Sequence, residues 1–292
     1  MSSKALVSGL LLLSALIWGG SFIVVKAATE TLDPLYLGAV RFLVATPIMV
    51  LILFATNSQV RLPRKEWPWI VVLGLTGVTF LYVLQYIGIA MTNASTSSLL
   101  TDMDVLFIAV FSILFLREPM TRFRVVGILL SFAGVVVVVL ANLDFSSVSV
   151  SEQFLFGSLL VISSSLCWGV FSIVGKRLMQ TYSEITITTY AFLIGTVCYL
   201  PLVGGSLVSS LQKTTLPGWA AILYLAIVST IIAYLAWYYA LKRVDASQAA
   251  VYLSFIPLTT IVIAILLGER MTVPFFAGAG LIIYGVYLTQ RH

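Results

Sequence analysis

Ten runs of about 20 mainly apolar residues, separated by short polar breaks, decide what this chain can fold into. A hydrocarbon core about 30 Å thick is crossed by about 20 residues rising about 1.5 Å each. The runs lie near 5–25, 34–54, 67–91, 94–116, 122–141, 154–175, 184–203, 217–241, 246–267 and 272–289. Of the 292 residues, 60% are hydrophobic and 9% charged, a balance outside the range of soluble domains. The expected fold class is an all-α membrane protein with ten transmembrane helices.

The net charge of +5 raises the question of a nucleic-acid partner, and the placement of the charges answers it. With a cytoplasmic N terminus, the inner side collects Lys4, Arg61, Arg64, Lys65, Arg117, Arg122, Arg124, Lys176, Arg177, Lys242, Arg243 and Arg291. Lys26, Lys213 and Arg270 fall outside, and Arg41 falls within a span. This asymmetry orients a polytopic protein with both termini cytoplasmic. The bilayer, not nucleic acid, is the partner it implies, and a multi-pass position in the cell's cytoplasmic membrane is expected. The first run continues to Val25 without a small-x-small cleavage site and reads as a retained span. Cys167 and Cys198 lie inside expected helices without metal-ligand spacing and read as buried free thiols.

The chain is also doubled. Trp18-Gly19 and Lys26 recur as Trp168-Gly169 and Lys176, and Tyr82 and Tyr86 recur as Tyr234 and Tyr238. Gly127 and Gly134 return as Gly278 and Gly285. Asn93-Ala94-Ser95 returns as Asp245-Ala246-Ser247, and Glu118 as Glu269. An offset drifting only between 150 and 152 over a whole half marks an internal duplication. Five spans per half is an odd number, so the second copy enters from the opposite side. The expectation is two inverted five-helix repeats, 1–145 and 146–292, joined by the polar link 142–153. Such repeats place a substrate site near the midplane between them.

These residues together resemble the EamA-type transporters of the drug/metabolite transporter superfamily. The 18–26 stretch, Arg41-Phe42, the paired helix starts and the Glu118 and Glu269 ends carry the resemblance over nearly the whole chain. It implies ten helices and an alternating-access carrier, usually an exporter of small metabolites, amino acids or toxic compounds. One departure concerns the proline such proteins carry in both the fourth and ninth helices. Pro257 is present in the ninth, but the fourth has Asp104-Val105-Leu106 there.

Carboxylates cost about 2.5–3.5 kcal/mol at the centre of a membrane helix, and Asp102 and Asp104 are the two acidic residues inside the spans. Two positions apart, they point about 200° from one another on a regular helix and so take different roles. Arg41 and Asp102 fall at similar depth, about 10 Å and about 12 Å from the same surface, which predicts a structural ion pair. Asp104 is then the pathway carboxylate and a candidate proton carrier; facilitated diffusion fits the sequence equally. The bland alternative leaves both aspartates satisfied by nearby hydroxyls such as that of Thr101.

Tyr82, Gln85 and Tyr86 share one helical face, as do Tyr234, Trp237 and Tyr238. With Trp18 and Trp168 they are the candidate substrate-binding surface, one set in each half of the bilayer. Carboxylate and aromatic rings without a buried lysine favour cationic solutes. Asn93 and Asp245 suit helix N-caps. Lys26 and Lys176 suit snorkelling anchors, or, in a competing reading, the attraction of anionic phosphorylated metabolites. A membrane-embedded lipid enzyme or flippase is the alternative of another class. The one histidine, His292, sits at the tail, and no metal site, cofactor motif or phosphate-cradling loop is legible. The small faces around Gly127, Gly134, Gly278, Gly280 and Gly285 fit a monomer or a homodimer.

Overall fold

The computed structural model describes residues 3–56, 61–116, 121–141 and 152–289. Arg117, Glu118, most of the expected join and the tail with Arg291 and His292 lie outside them. Among the described residues the chain is helical throughout, with no strand. The first half contains α1 (Ser3–Ala28), α2 (Pro34–Ala55), α3 (Trp67–Gly74), α4 (Phe80–Met91), α5 (Ala94–Thr101), α6 (Met103–Leu116) and α7 (Arg122–Ala141). The second contains α8 (Glu152–Met179), α9 (Glu184–Val203), α10 (Ser206–Lys213), α11 (Leu216–Leu223), α12 (Ala233–Leu241), α13 (Ala246–Ala250), α14 (Phe255–Leu266) and α15 (Val273–Thr289). Seven helical segments are long and apolar enough to cross a bilayer: Ala5–Ala28, Pro34–Ala55, Arg64–Met91, Ala94–Phe115, Glu152–Met179, Glu184–Val203 and Leu216–Leu241. Val125–Val138, Val251–Leu266 and Val273–Gly285 are shorter apolar helices.

Local chemistry sets the helix starts. Asp33 accepts from the Tyr36 amide at 3.0 Å ahead of Pro34, whose missing N–H costs nothing in a first turn. Asn93 accepts from the Thr96 amide at 2.7 Å and caps α5. Asp245 occupies the matching position before α13 without a side-chain cap bond, so the expected symmetry of caps is not present.

Four departures from regular helix shape the interior. The run from α3 to α4 passes through a π-helical stretch, Leu75–Thr79, and that from α11 to α12 through a longer one, Tyr224–Ile232. The expected unbroken helix over 94–116 is instead divided at Asp102. There the Asp102 amide bonds Leu99 O and the Val105 amide bonds Asp102 O, each at 3.1 Å and each spanning three residues rather than four. Its counterpart divides too, with the 3-10 turn Val251–Ser254 between α13 and α14. Pro257 falls in the first turn of α14, where its ring opposes no interior hydrogen bond.

Packing brings residues about 150 positions apart into contact with each other. The Trp18 and Trp168 rings meet edge-on at 5.3 Å, the Thr46 and Thr196 hydroxyls at 2.8 Å, and the Tyr82 and Tyr234 hydroxyls at 2.8 Å. Helix α1 packs on α12 and α14, while α8 packs on α4 and α6. Helices α7 and α15 lie together along their lengths at backbone contact. A Cβ on Gly134 would meet Gly278 O at 2.7 Å, and one on Gly278 would meet Gly134 O at 2.9 Å. Apolar side chains such as Leu114, Phe115, Leu129 and Val273 face outward, as a lipid solvent requires.

Candidate functional site

Arg41 of α2 is 1% exposed and organises the centre of the molecule. Its Nε donates to Thr230, its Nη1 to the Tyr86 hydroxyl, and its Nη2 to the Tyr82 hydroxyl at 3.2 Å and Ser229 Oγ at 3.4 Å. The guanidinium carbon lies 4.2 Å from the Tyr82 ring centroid, within cation–π range. Ser229 and Thr230 belong to the π-helical stretch, whose altered register turns both toward α2. The expected Arg41–Asp102 ion pair is not formed. All the guanidinium's side-chain partners are hydroxyls, and Asp102 closes α5 away from the cavity that Arg41 lines. Equal depth did not place the two side chains on facing surfaces.

Arg41 instead shares a central cavity of about 40 Å³ with Asp104. That volume holds a few water molecules. Its polar wall is Arg41, Asp104, Gln85, Thr101, Ser21 and Ser229; its apolar wall is Trp18, Trp168, Tyr82, Phe22, Leu81, Leu253 and Ile256. Asp104 stands in the first turn of α6, so the positive end of the helix dipole faces its carboxyl group. Ser165 of α8 lies beside it. Two polar atoms on this cavity are buried without a protein partner: Asp104 Oδ1, an acceptor, and Trp168 Nε1, a donor. The equivalent Trp18 Nε1 donates to Ser229 O at 3.0 Å. The two tryptophans are therefore alike in position and unlike in hydrogen bonding.

Of the residues singled out in the sequence, Trp18, Tyr82, Gln85, Asp104 and Trp168 line the cavity, and Tyr86 holds Arg41. Tyr234, Trp237 and Tyr238 lie behind it. Tyr234 packs against both Trp18 and Trp168 at 5.7 Å, and Trp237 against them at 5.5 and 6.0 Å. Tyr238 stacks on Phe171 over Gly175. The two aromatic sets expected in separate halves of the bilayer meet through the Tyr82–Tyr234 hydroxyl contact. Ser21, Ser229, Leu253 and Ile256 escaped the sequence reading, and Thr101 entered it only as a candidate partner of the aspartates. Ser229 in particular has no signal at a 3.6-residue period, because the π turn moves it.

A second, open cavity of about 390 Å³ lies where α1 and α14 end and α5 begins, lined by Lys26, Glu30 and Glu269 among apolar residues. Lys26 Nζ donates to the carbonyls of Ile89, Ala90 and Thr92, capping the C-terminal end of α4. Lys176 Nζ bonds Val244 O at 2.7 Å just beyond α12. Both lysines thus tie helix ends together. Partial burial pushes the Glu269 carboxyl above the usual carboxylate range, opposed by Ser95 and Lys26. Among the described residues no group of three or more His, Cys, Asp or Glu is placed to hold a metal ion, and both cysteines are free thiols.

The chain resembles known proteins over nearly its full length. A transporter of uncharacterised function from Archaeoglobus fulgidus is 35% identical over 282 residues, covering 96% of each chain. A probable terminal-alkyne amino-acid exporter from Streptantibioticus cattleyicolor is 26% identical, covering 96% of this chain and 92% of its own. A solved crystal structure shares the fold with a TM-score of 0.68 at 18% identity, covering 97% of this chain and 95% of the other. The family description "EamA-like transporter family" matches twice, over residues 6–140 and 155–291. This chain belongs to the EamA-like transporter family.

Proposed function

We propose that the protein is an alternating-access carrier that exports small zwitterionic metabolites, with α-amino acids as the principal class. In this reading ten helices form two inverted five-helix repeats, 1–145 and 146–292. Both termini face the cytoplasm, and the central cavity is the substrate site in a closed form. The observation that carries it is one small buried cavity bearing Arg41 on one wall and Asp104 on another, with a free donor on Trp168. A carboxylate fits Arg41, an ammonium group fits Asp104, and the apolar wall takes the side chain. The guanidinium turns the expectation of purely cationic solutes toward dipolar ones. The amino-acid exporter of S. cattleyicolor supports the class and the direction.

The anionic-metabolite reading has less support, because Lys26 and Lys176 use their donors on helix carbonyls. The test is a thermal-shift comparison of purified protein with L-leucine, isopentylamine, 4-methylpentanoate and glucose 6-phosphate. A ligand at about 100 times its Kd stabilises the native state by about 2.7 kcal/mol. L-leucine is expected to raise Tm, with the analogues that lack one charged group well behind. Stabilisation by the amine alone would return the reading to cations, and stabilisation by the sugar phosphate would replace it.

A further inference from the structure

Once Arg41 is assigned to Tyr82, Tyr86, Thr230 and Ser229, Asp102 has no assigned role. It is 2% exposed, its Oδ2 has no hydrogen-bond partner, and no described Lys or Arg forms an ion pair with it. Asp104, two residues on across the break, is 5% exposed with an unpartnered Oδ1. The two carboxyl groups are near enough to interact electrostatically. Trp168 Nε1, 5% exposed and unpartnered, independently marks the same wall as built for a polar occupant. Two like charges at this depth repel each other and each loses hydration, and a proton on one of them removes the repulsion and leaves a single buried charge.

The geometry points to Asp102 and Asp104 as a two-carboxylate proton site, with Asp104 holding the proton at the cavity wall and Asp102, behind it, keeping it there. Asp102 is the positioning residue. Among the described residues, no charged side chain forms an ion pair with the two carboxyl groups. From α8 the pair faces Cys167, and across the cavity stand Arg41 of α2 and Tyr82 of α4. Helix α14 and the turn Val251–Ser254 contain no charged residue, α7 has Arg122 and Arg124 in its first turn only, and α1 has Lys4 in its first turn and Lys26 in its last. The coupling step rests on the proposed transport reading. An arriving ammonium pairs with the Asp104 carboxylate, and the proton leaves to the side on which the cavity is open, one cation replacing the other.

The site is tested without a substrate by infrared difference spectra of the full-length protein across a pH jump, read at the protonated-carboxyl stretch and its shift in D₂O. The wild type is expected to show this band, Asp104→Asn to remove it, and Asp102→Asn to move its titration about one pH unit or more toward acid. Asp102→Glu, which keeps the charge, is expected to restore the wild-type profile and covers the case in which Asp102→Asn does not fold. Absence of the band in the wild type, or an identical titration in Asp102→Asn, overturns the proposal. The coupling step is then read as proton release into lightly buffered solution on adding L-leucine. If L-leucine neither stabilises the protein nor releases a proton while the band behaves as described, the amino-acid reading falls and the proton site stands.

Discussion

The two divided helical runs, α5–α6 and α13–α14, solve one geometric problem with different chemistry. Each breaks a few residues after its start. In the second, a 3-10 turn leads into a helix whose first turn contains Pro257, a residue with no amide to satisfy. In the first, the break falls at Asp102, and Asp104 occupies the opening turn of α6. In the matching turn, Leu253 is an ordinary buried apolar residue on the cavity, and Ser254, which pairs with Asp102 at the offset of the helix starts, carries no charge. The break itself therefore needs no carboxylate. Whatever the aspartates contribute lies beyond shaping the helix, and that difference makes the two halves of a duplicated chain chemically unequal.

The most disruptive way to break this comparison is to make the second divided run like the first. Leu253→Asp puts an unpaired carboxylate at a site 1% exposed, and a loss of about 2.5–3.5 kcal/mol is expected, measured as a lower Tm and a lower yield of inserted protein. If Leu253→Asp is tolerated, the interior is wetter around the second break than its side chains imply. Asp104→Asn, which keeps shape but removes charge, is expected to reduce L-leucine flux in proteoliposomes about 10- to 100-fold, the worth of a charge-assisted hydrogen bond of about 1.5–3 kcal/mol. Unchanged flux would leave the carboxylates without a role in transport. Arg41→Lys keeps the charge but cannot reproduce the fork that reaches Thr230, Tyr86, Tyr82 and Ser229, and about a tenfold loss of flux is expected. The smallest difference lies at the helix starts. Asn93→Ala is expected to cost about 1 kcal/mol in thermal unfolding, and Asp245→Ala much less, because Asn93 alone makes the cap bond. Equal losses would mean that Asp245 acts in some other way.

Much of this architecture is written plainly in the sequence, because a bilayer demands long apolar runs and a duplication leaves matched residues. Trp18, Trp168 and Asp104 stand out from sequence alone, since large aromatics at one offset and an intramembrane carboxylate are rare features. The helix break at Asp102 is not legible. No glycine or proline marks it, and hydropathy runs on unbroken from Leu99 to Leu116 apart from the two aspartates. The partners of Arg41 were hidden for a related reason. Depth along a helix follows from counting residues, but azimuth depends on helical register, and the π turn at Tyr224–Ile232 resets it. Ser229 and Thr230 reach the guanidinium through that reset, while Asp102, correct in depth, closes its helix elsewhere.

The close seam between α7 and α15 bears on how such a molecule moves. With Gly134 and Gly278 setting carbonyl against backbone, there is no layer of side chains between the helices to act as a lubricant. A slide of even one residue would drive Val138 and Ile282 into the opposing chain, so the two helices travel as a single strut. If the molecule rocks as the proposed carrier, the motion that opens the central cavity falls to the helices around α1 and α8. In that proposal the strut joins the two halves and stays out of the motion, as an axle does in a balance.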